Sequence, residues 1–575
     1  MPLEKASADF VHELERRIRA EKVHGLDRLE KQWARPILER VRACRAIGPL
    51  TLLERIKVGK ETFIHFDPSA DDIAMFREGD RLRLSQNDPD GLYHEVIFHG
   101  LTAHGLTVSM RGAPLAGDRG WTLDEDFFDL SPYYLKGLES LKSNQNLIEL
   151  LSGGEVPEDF DGSAFDDLSE NLGNQFNDSQ VDAIAISVAS SPIHIVQGPP
   201  GTGKTHVLAQ TVVELVRTNQ RILVTAFTHR AIHHALRKIR PLVSCPVFKI
   251  SDDIPHDNEG IEFRENFAAT GLIDNDGPYV LGITPISLFT SRADAAFFDI
   301  ALIDETSQMR VEAAILPMLR AKRWVFYGDQ QQLPPVCARP VEDPKHDSIF
   351  VQLMQRKSDF TMLRETYRMN GELSRWPSEN FYGGELEASA FSRFQTFKSR
   401  TTSEHPALQP EPSLLRMEID HHGCKAVSNE EADAVLTIVE ECLNSGVTPS
   451  DIGVVVPFRA QAANIRRALR FDRFRRFPGI RDIAIDTVER FQGQEREVIL
   501  ISFTVSDYEF LSSLADFLTY PQRINVAVTR ARTKAVVIHS KSFRRYLETH
   551  ATTDENAALV LSLFKAANPI DPWQG

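Results

Sequence analysis

Apolar positions change period several times along the chain, and each change marks a different kind of element. Residues 8 to about 46 are rich in Glu, Arg, Leu and Ala, with Phe10, Leu14 and Ile18 at helical spacing. That spacing predicts one or two long, exposed helices. From about 48 to 130 the pattern shortens to alternating runs such as Arg81-Leu-Arg-Leu, Tyr93-His-Glu-Val-Ile-Phe and Gly105-Leu-Thr-Val-Ser-Met. Gly and Asp-Pro-Asp turn signals separate these runs, so a small β-barrel is expected. Residues 131–152 return to helical spacing, and the Gly-, Asp- and Ser-rich stretch 152–174 reads as a linker.

From Asn177 onward, short apolar runs alternate with helical segments. The runs include 193–196, 221–226, 300–303 and 324–327. Strands of this kind, each followed by a helix, predict a parallel α/β domain. A second set follows near 452–456, 497–503 and 535–538. No internal repeat or low-complexity tract interrupts the pattern, and the last ~25 residues carry no readable chemistry.

At 575 residues the chain is long enough for several domains. No apolar run reaches the ~18 residues that a membrane span needs. The polar N-terminus has no secretory h-region, which makes a cytoplasmic protein the expectation. Cys44, Cys245, Cys337, Cys424 and Cys442 are widely spaced with no C-x-x-C pair, so they signal neither a zinc site nor a disulfide framework. The net charge of −16 argues against a general nucleic-acid coat protein but leaves room for a motor whose contacts are local. The charge is uneven: no Lys or Arg lies between Lys142 and Lys204, whereas residues 459–481 hold eight Arg and one acid, Asp472.

Chemistry concentrates at Gly198-Pro199-Pro200-Gly201-Thr202-Gly203-Lys204-Thr205, between a predicted strand and a predicted helix. This is the Walker A pattern. Glycines lacking Cβ let backbone N–H groups close around phosphates, and the helix N-terminus adds positive potential. Lys204 is expected to reach the β- and γ-phosphates of ATP, and Thr205 to hold Mg²⁺. A second strand ends in Asp304-Glu305, a Walker B pattern: Asp304 for Mg²⁺, Glu305 as base for the attacking water. Gln332, in Gly328-Asp-Gln-Gln-Gln-Leu333, is an uncharged group suited to sensing the γ-phosphate and that water.

The ordered set resembles the superfamily 1 helicases. It comprises Asn177-Asp-Ser-Gln180, Gly198 to Thr205, Asp304-Glu-Thr-Ser-Gln308, Gly328 to Leu333, Thr366-Tyr-Arg-Met369, Phe491-Gln-Gly-Gln-Glu495 and Arg523-Ile-Asn-Val-Ala-Val-Thr-Arg-Ala-Arg532. Within that superfamily it is similar to the branch containing the nonsense-mediated-decay helicase and the immunoglobulin-mu-binding-protein helicase. The resemblance implies that Gln180 bonds adenine and Tyr367 packs on the base. It implies that Arg368 and Arg530 act as arginine fingers from the second domain, and that Gly493 and Glu495 lie near the γ-phosphate and ribose. It places Thr228, Thr284, Pro457, Phe458 and Thr487 along a single strand of DNA or RNA. Phe227-Thr-His229 departs from the family's usual Pro-Ser-Asn, and the segment 241–279 is short for a helical insertion. No zinc-rich N-terminal domain or nuclease motif is visible.

The expected fold is α/β, with two RecA-like parallel-sheet P-loop domains, an N-terminal helical stalk and a small accessory β-barrel. The expected divisions are 1–47 (stalk), 48–130 (barrel), 131–174 (helix and acidic linker), 175–340 (first RecA-like domain, ATP-binding), 341–550 (second) and 551–575 (tail). The expected function is an ATP-dependent, 5′-to-3′ helicase or translocase. The alternative is a strand-stimulated ATPase acting as a nucleotide-gated clamp. A small-molecule kinase would need neither Arg368 and Arg530 nor Gln332. The interleaved Phe471, Phe474 and Phe477 in the arginine-rich run fit either a stacking surface or an amphipathic helix with Phe inward.

Overall fold

The computed structural model describes residues 2–572 apart from 60, 68–75, 77–78, 103, 113–116, 154–158, 252–257, 274, 357–358 and 399–402. The chain forms two units. One comprises Met1–Lys22, Asp129–Gln395 and Pro521–Arg532; the other comprises Val23–Phe128, Thr396–Tyr520 and Thr533–Gly575.

The first unit is built on an eight-stranded sheet. In spatial order its strands are Glu262–Arg264, Val247–Ile250, Tyr279–Gly282, Arg221–Ala226, Phe298–Asp304, Ala321–Gly328, Ile193–Gln197 and Thr361–Met362. Each of these pairs is parallel. Both faces are covered, which is why the strands read as unbroken apolar runs. Val196, Ile222, Val224 and Leu302 pack with Val207, Val212, Ile232 and Leu236 from helices on one face. Ile195, Leu223, Ala301 and Phe326 join Tyr134, Leu138, Ile315 and Leu316 on the other. Val11, Leu14 and Ile18 belong to that second core, so the first helix, Pro2–Trp33, is less exposed than its charge suggests.

In the second unit, Ala46–Val58, Glu61–Phe66, Gly105–Arg111, Tyr93–Thr102, Arg81–Ser85 and Arg119–Glu125 close into an antiparallel barrel in that order. Its interior is filled by alternate residues, among them Ile64, Phe66, Val96, Phe98, Val108, Trp121 and Leu123. Beside it, Arg83 lies between the rings of Trp33 and Tyr93, 3.7 and 3.9 Å from their centroids. The same unit holds a six-stranded sheet: Ala484–Thr487, Ile452–Val456, Arg496–Ser502, Ala531–Ser540, Leu414–Ile419 and Asn568–Ile570. Two RecA-like parallel sheets and an accessory barrel are therefore present.

Three divisions differ from the sequence-based expectation. Part of the expected linker, 154–158, lies outside the described residues. Its remainder contains the helix Gly162–Leu172, whose N-terminus Asp161 caps by accepting from Ser163 N and Ala164 N. An Asp that caps a helix and an Asp in a loop look alike in sequence. The tail is not a bare extension. Helix Glu555–Ala566 buries Ala557, Val560, Leu563 and Phe564, and Asn568–Ile570 pairs with Leu414–Ile419. Residues 341–395 and Pro521–Arg532, expected in the second domain, group with the Walker A loop in the first compact unit. Backbone pairing explains the first: Thr361–Met362 adds to the first sheet beside Ile193–Gln197.

Candidate functional site

Strand Ile193–Gln197 is buried throughout and delivers the chain to the loop 198–203, after which helix Lys204–Arg217 begins. Gly203 precedes this helix at φ 82° with no side-chain cap, so the first N–H groups stay available to an anion. Gly201 is required by close approach as well as by its φ of 77°: a Cβ there would lie 2.4 Å from Arg368 Cβ and 2.6 Å from Thr366 Oγ1. The segment that crowds it is bonded to the loop, since Thr366 Oγ1 donates to Pro200 O and Tyr367 N to Gly201 O, both at 2.8 Å. Gly198 N donates to Gly328 O at 2.8 Å, and Thr202 Oγ1 donates to Pro199 O at 2.8 Å. Pro199 and Pro200 thus have carbonyls that fix the loop from two sides. Thr205, the second helical residue, is half-buried.

Lys204 Nζ lies 3.0 Å from both Asp304 Oδ1 and Glu305 Oε1. Burial alone would depress the ammonium's pKa, but the two carboxylates overcome it and hold it above its ordinary value. The acids respond in opposite directions. Burial pushes Asp304 up against the pull of Lys204, whereas for Glu305 the attraction of Lys204, aided by Gln308 and Arg530, wins over burial and lowers it. Glu305 directly follows strand Phe298–Asp304 at φ 54°, a left-handed conformation that a non-glycine residue adopts at a cost of about 1–2 kcal/mol. Such strain is characteristic of side chains placed for chemistry.

Gln332 is held by a buried network that the sequence did not reveal. Its Nε2 donates to Asp329 Oδ2 at 2.9 Å, and Tyr382 OH donates to the same oxygen at 2.8 Å. Asn525 Nδ2 contacts Tyr382 OH at 2.9 Å and Gln331 O at 2.7 Å. Burial raises the Asp329 pKa against these bonds. Asp329 and Asn525 sit inside the quoted motifs and were open to notice, since a strand-end acid was already the signal at Asp304. Tyr382 had no local signal.

Gln180 Nε2 donates to Thr202 O at 3.0 Å and completes a capping box with Asn177. Asn177 Nδ2 donates to Tyr367 OH at 2.9 Å, so the two adenine candidates, Gln180 and Tyr367, lie on one bonded cluster, with Tyr367 42% exposed. Arg368 Nη1 donates to Thr529 O at 3.0 Å, and Arg530 is buried with Nε donating to Val526 O at 3.0 Å. Both arginines group with the loop in the first compact unit. Gly493 and Glu495 lie in the other unit, with Gly493 at φ 75°.

Two family models, each described as AAA domain, match this chain, one at residues 175–253 with 287–340 and the other at 345–542, together more than half of its length. The chain belongs to superfamily 1 of the helicases. DNA replication ATP-dependent helicase/nuclease dna2 of Schizosaccharomyces pombe is 27% identical over 401 residues, 64% of this chain and 28% of that protein. Regulator of nonsense transcripts 1 homolog of Arabidopsis thaliana is 29% identical over 415 residues, 63% of this chain and 32% of that protein. This superfamily 1 chain therefore spans about a third of the length of the curated relatives it matches. A solved arterivirus nonstructural protein 10 (helicase) is 14% identical, covers 91% of this chain and 82% of its own, and has a TM-score of 0.37, too distant to bear on the fold.

The strand-contact candidates of this superfamily 1 chain are less uniform than its ATP-site candidates. Thr228 is exposed and caps helix His229–Ile239 by accepting from Ala231 N at 3.2 Å. Thr284 and Thr487 are buried, and Thr284 Oγ1 donates to Ser287 Oγ at 2.9 Å. Pro457 and Phe458 follow strand Ile452–Val456, with Phe458 stacked on Phe517 at 5.8 Å. In the arginine-rich run Phe474 is buried and Phe477 packs on the core, which is the amphipathic arrangement; Phe471 alone of the three is exposed, at 61%. Arg473 and Arg476 both pair with Glu440. Among the described residues, no helix is long and apolar enough to cross a membrane.

Proposed function

We propose that this chain hydrolyses ATP and uses the cycle to move 5′-to-3′ along a single strand of DNA or RNA, separating duplexes in the cytoplasm. The observation that carries this reading is the Lys204 ammonium, shared at 3.0 Å between Asp304 and Glu305 beside an uncapped helix N-terminus. While the ammonium sits there, Glu305 is a weak base because its pKa is lowered. Incoming phosphates compete for Lys204, and the carboxylate they uncover becomes a stronger base for water. Substrate arrival thereby switches on the base. Gln332, braced by Asp329, positions that water, while Arg368 and Arg530 offset charge on the transferring phosphoryl oxygens.

Thr205 and Asp304 offer a hydroxyl and a carboxylate, hard oxygen donors that suit Mg²⁺. Mg²⁺ held there would neutralise charge on the β- and γ-phosphates. The clamp reading retains one supporting observation: Thr284 and Thr487 are buried residues, which leaves fewer grips for stepping. The test is ATP turnover alone, with single-stranded DNA and with single-stranded RNA, followed by strand displacement on duplexes with a 5′ or a 3′ tail. Stimulated turnover with displacement from the 5′ tail is expected. Displacement only from the 3′ tail refutes the direction, and stimulated turnover with no displacement selects the clamp.

A further inference from the structure

Strand Leu414–Ile419 is followed by Asp420-His421-His422-Gly423-Cys424, and helix Asn429–Asn444, starting five residues after Cys424, carries Glu430 and Glu431 in its first turn. One ligating atom each from His421, Cys424 and Glu430 lies within 4.8 Å of the other two. Nothing in the ATP chemistry uses these groups, which belong to the other unit.

Each of the three is held from outside. The buried Glu431 carboxylate accepts from His421 Nε2 at 3.0 Å, and it also takes Ser502 Oγ at 2.6 Å and Thr504 N at 2.8 Å. That bond fixes the proton on Nε2 and turns the Nδ1 lone pair toward Ser506 Oγ, 2.9 Å away. Cys424 is clamped through its backbone: its N–H donates to Ser506 Oγ at 3.0 Å, and its carbonyl accepts from Ser506 N at 2.8 Å and Asp507 N at 3.0 Å. Gly423, at φ 69°, makes the turn that brings the cysteine back to His421. Ser428 Oγ donates to Glu430 Oε2 at 3.1 Å, and that oxygen is 3.7 Å from Cys424 Sγ. Metal-ligating side chains are oriented by outer partners of this kind, above all a carboxylate on the far nitrogen of a histidine.

We propose that His421 Nδ1, Cys424 Sγ and a Glu430 carboxylate oxygen form a binding site for a divalent cation of the Zn²⁺ class. Imidazole and thiolate ligands select Zn²⁺ over Mg²⁺ or Ca²⁺, and three protein ligands leave a fourth position for water. Glu430 is exposed and Cys424 half-buried, which gives the ion a path from solvent. On binding, the cation replaces the Cys424 thiol proton, which passes to solvent, and Ser506 yields Nδ1 while keeping its bond to Cys424 N. Closure ties the end of strand Leu414–Ile419 to the first turn of helix Asn429–Asn444. The C-x-x-C criterion misses this arrangement because only one cysteine takes part.

The test uses the full chain, stripped with chelator and titrated with Co²⁺ as a coloured stand-in for Zn²⁺. A thiolate-to-cobalt charge-transfer band should saturate at one equivalent and vanish when Zn²⁺ is added. Cys424→Ser should abolish the band, and Glu430→Gln should weaken Co²⁺ binding at least about 10-fold, the lower bound seen when groups around a metal are removed. Both positions reach solvent, so both variants should fold. Absence of the band in the unaltered chain, its persistence in Cys424→Ser, or unchanged affinity in Glu430→Gln overturns the assignment.

Discussion

Replacing Lys204 with Ala tests the ATP site without any nucleotide. The substitution deletes the ammonium and leaves Asp304 and Glu305 facing each other, with side chains 6% and 27% exposed. Removing one partner of a buried ion pair costs about 3–5 kcal/mol because the remaining charge is uncompensated. The partial exposure of Glu305 argues for the lower end, about 3 kcal/mol. At ~2 °C per kcal/mol for a large domain, the melting transition should fall by roughly 6 °C near neutral pH. The pH dependence has a definite sign. In the unaltered chain Glu305 has a lowered folded-state pKa, so its contribution is present above its unfolded value and lost as pH falls through the folded one. Without Lys204, burial and mutual repulsion raise both carboxyl pKa values above their unfolded values. The variant then loses stability as pH rises through the carboxyl range. Its deficit should be largest above about pH 7 and shrink on acidification toward about pH 5. Scanning fluorimetry of both proteins across this range gives the result directly. Equal stability at neutral pH, or a deficit that grows on acidification, refutes the shared-ammonium argument. With ATP at 100-fold over Kd, the unaltered chain should gain about 2.7 kcal/mol and the variant almost nothing.

Glu305→Gln should retain the ATP-induced thermal shift while turnover drops by about 10²–10⁴-fold, the usual contribution of a positioned base; near-normal hydrolysis would locate the base elsewhere. Arg368→Ala should reduce turnover by up to about 10³–10⁵-fold with little change in ATP affinity, and an equal loss in both would point to ground-state binding. Arg530→Ala should show the same kinetic split but also a lower melting temperature, because Arg530 is buried and bonded to Val526 O. Tyr382→Phe deletes the hydroxyl that contacts both Asp329 and Asn525, at a cost of about 1–3 kcal/mol. It should lower kcat and leave KM for ATP nearly unchanged; loss of stability alone would make Tyr382 purely structural.

Local chemistry was legible in the sequence, and spatial partnership was not. The strands at 193–196, 221–226, 300–303 and 324–327 were visible because burial on both faces leaves unbroken apolar runs. The cluster of Lys204, Asp304 and Glu305 was legible because the two motifs place an ammonium and two carboxylates next to strand ends. The eighth strand of the first sheet was not, since Thr361–Met362 is recognisable only by its pairing with Ile193–Gln197. Two residues leave no periodic signal. Helix Gly162–Leu172 was read as linker because Gly, Asp and Ser also serve as turn formers, and only the bonds of Asp161 reveal the cap. Tyr382 was invisible because its hydroxyl acts on Asp329, 53 positions away.

Asp304 and Glu305 are neighbours with the same functional group, yet in the proposed cycle their surroundings suit them to different work. Asp304 is almost fully buried, and burial pushes its pKa up; its charged form depends on a cation close by. When phosphates draw Lys204 away, that dependence makes Asp304 the better holder of a replacement cation. Glu305 reaches solvent and keeps other support, since Gln308 Nε2 donates to its Oε2 at 3.2 Å and Arg530 lowers its pKa from within the same unit. It can therefore remain ionised after the ammonium leaves and accept a proton from water. Two titratable groups whose environments push their pKa values apart divide the roles of ion holder and base.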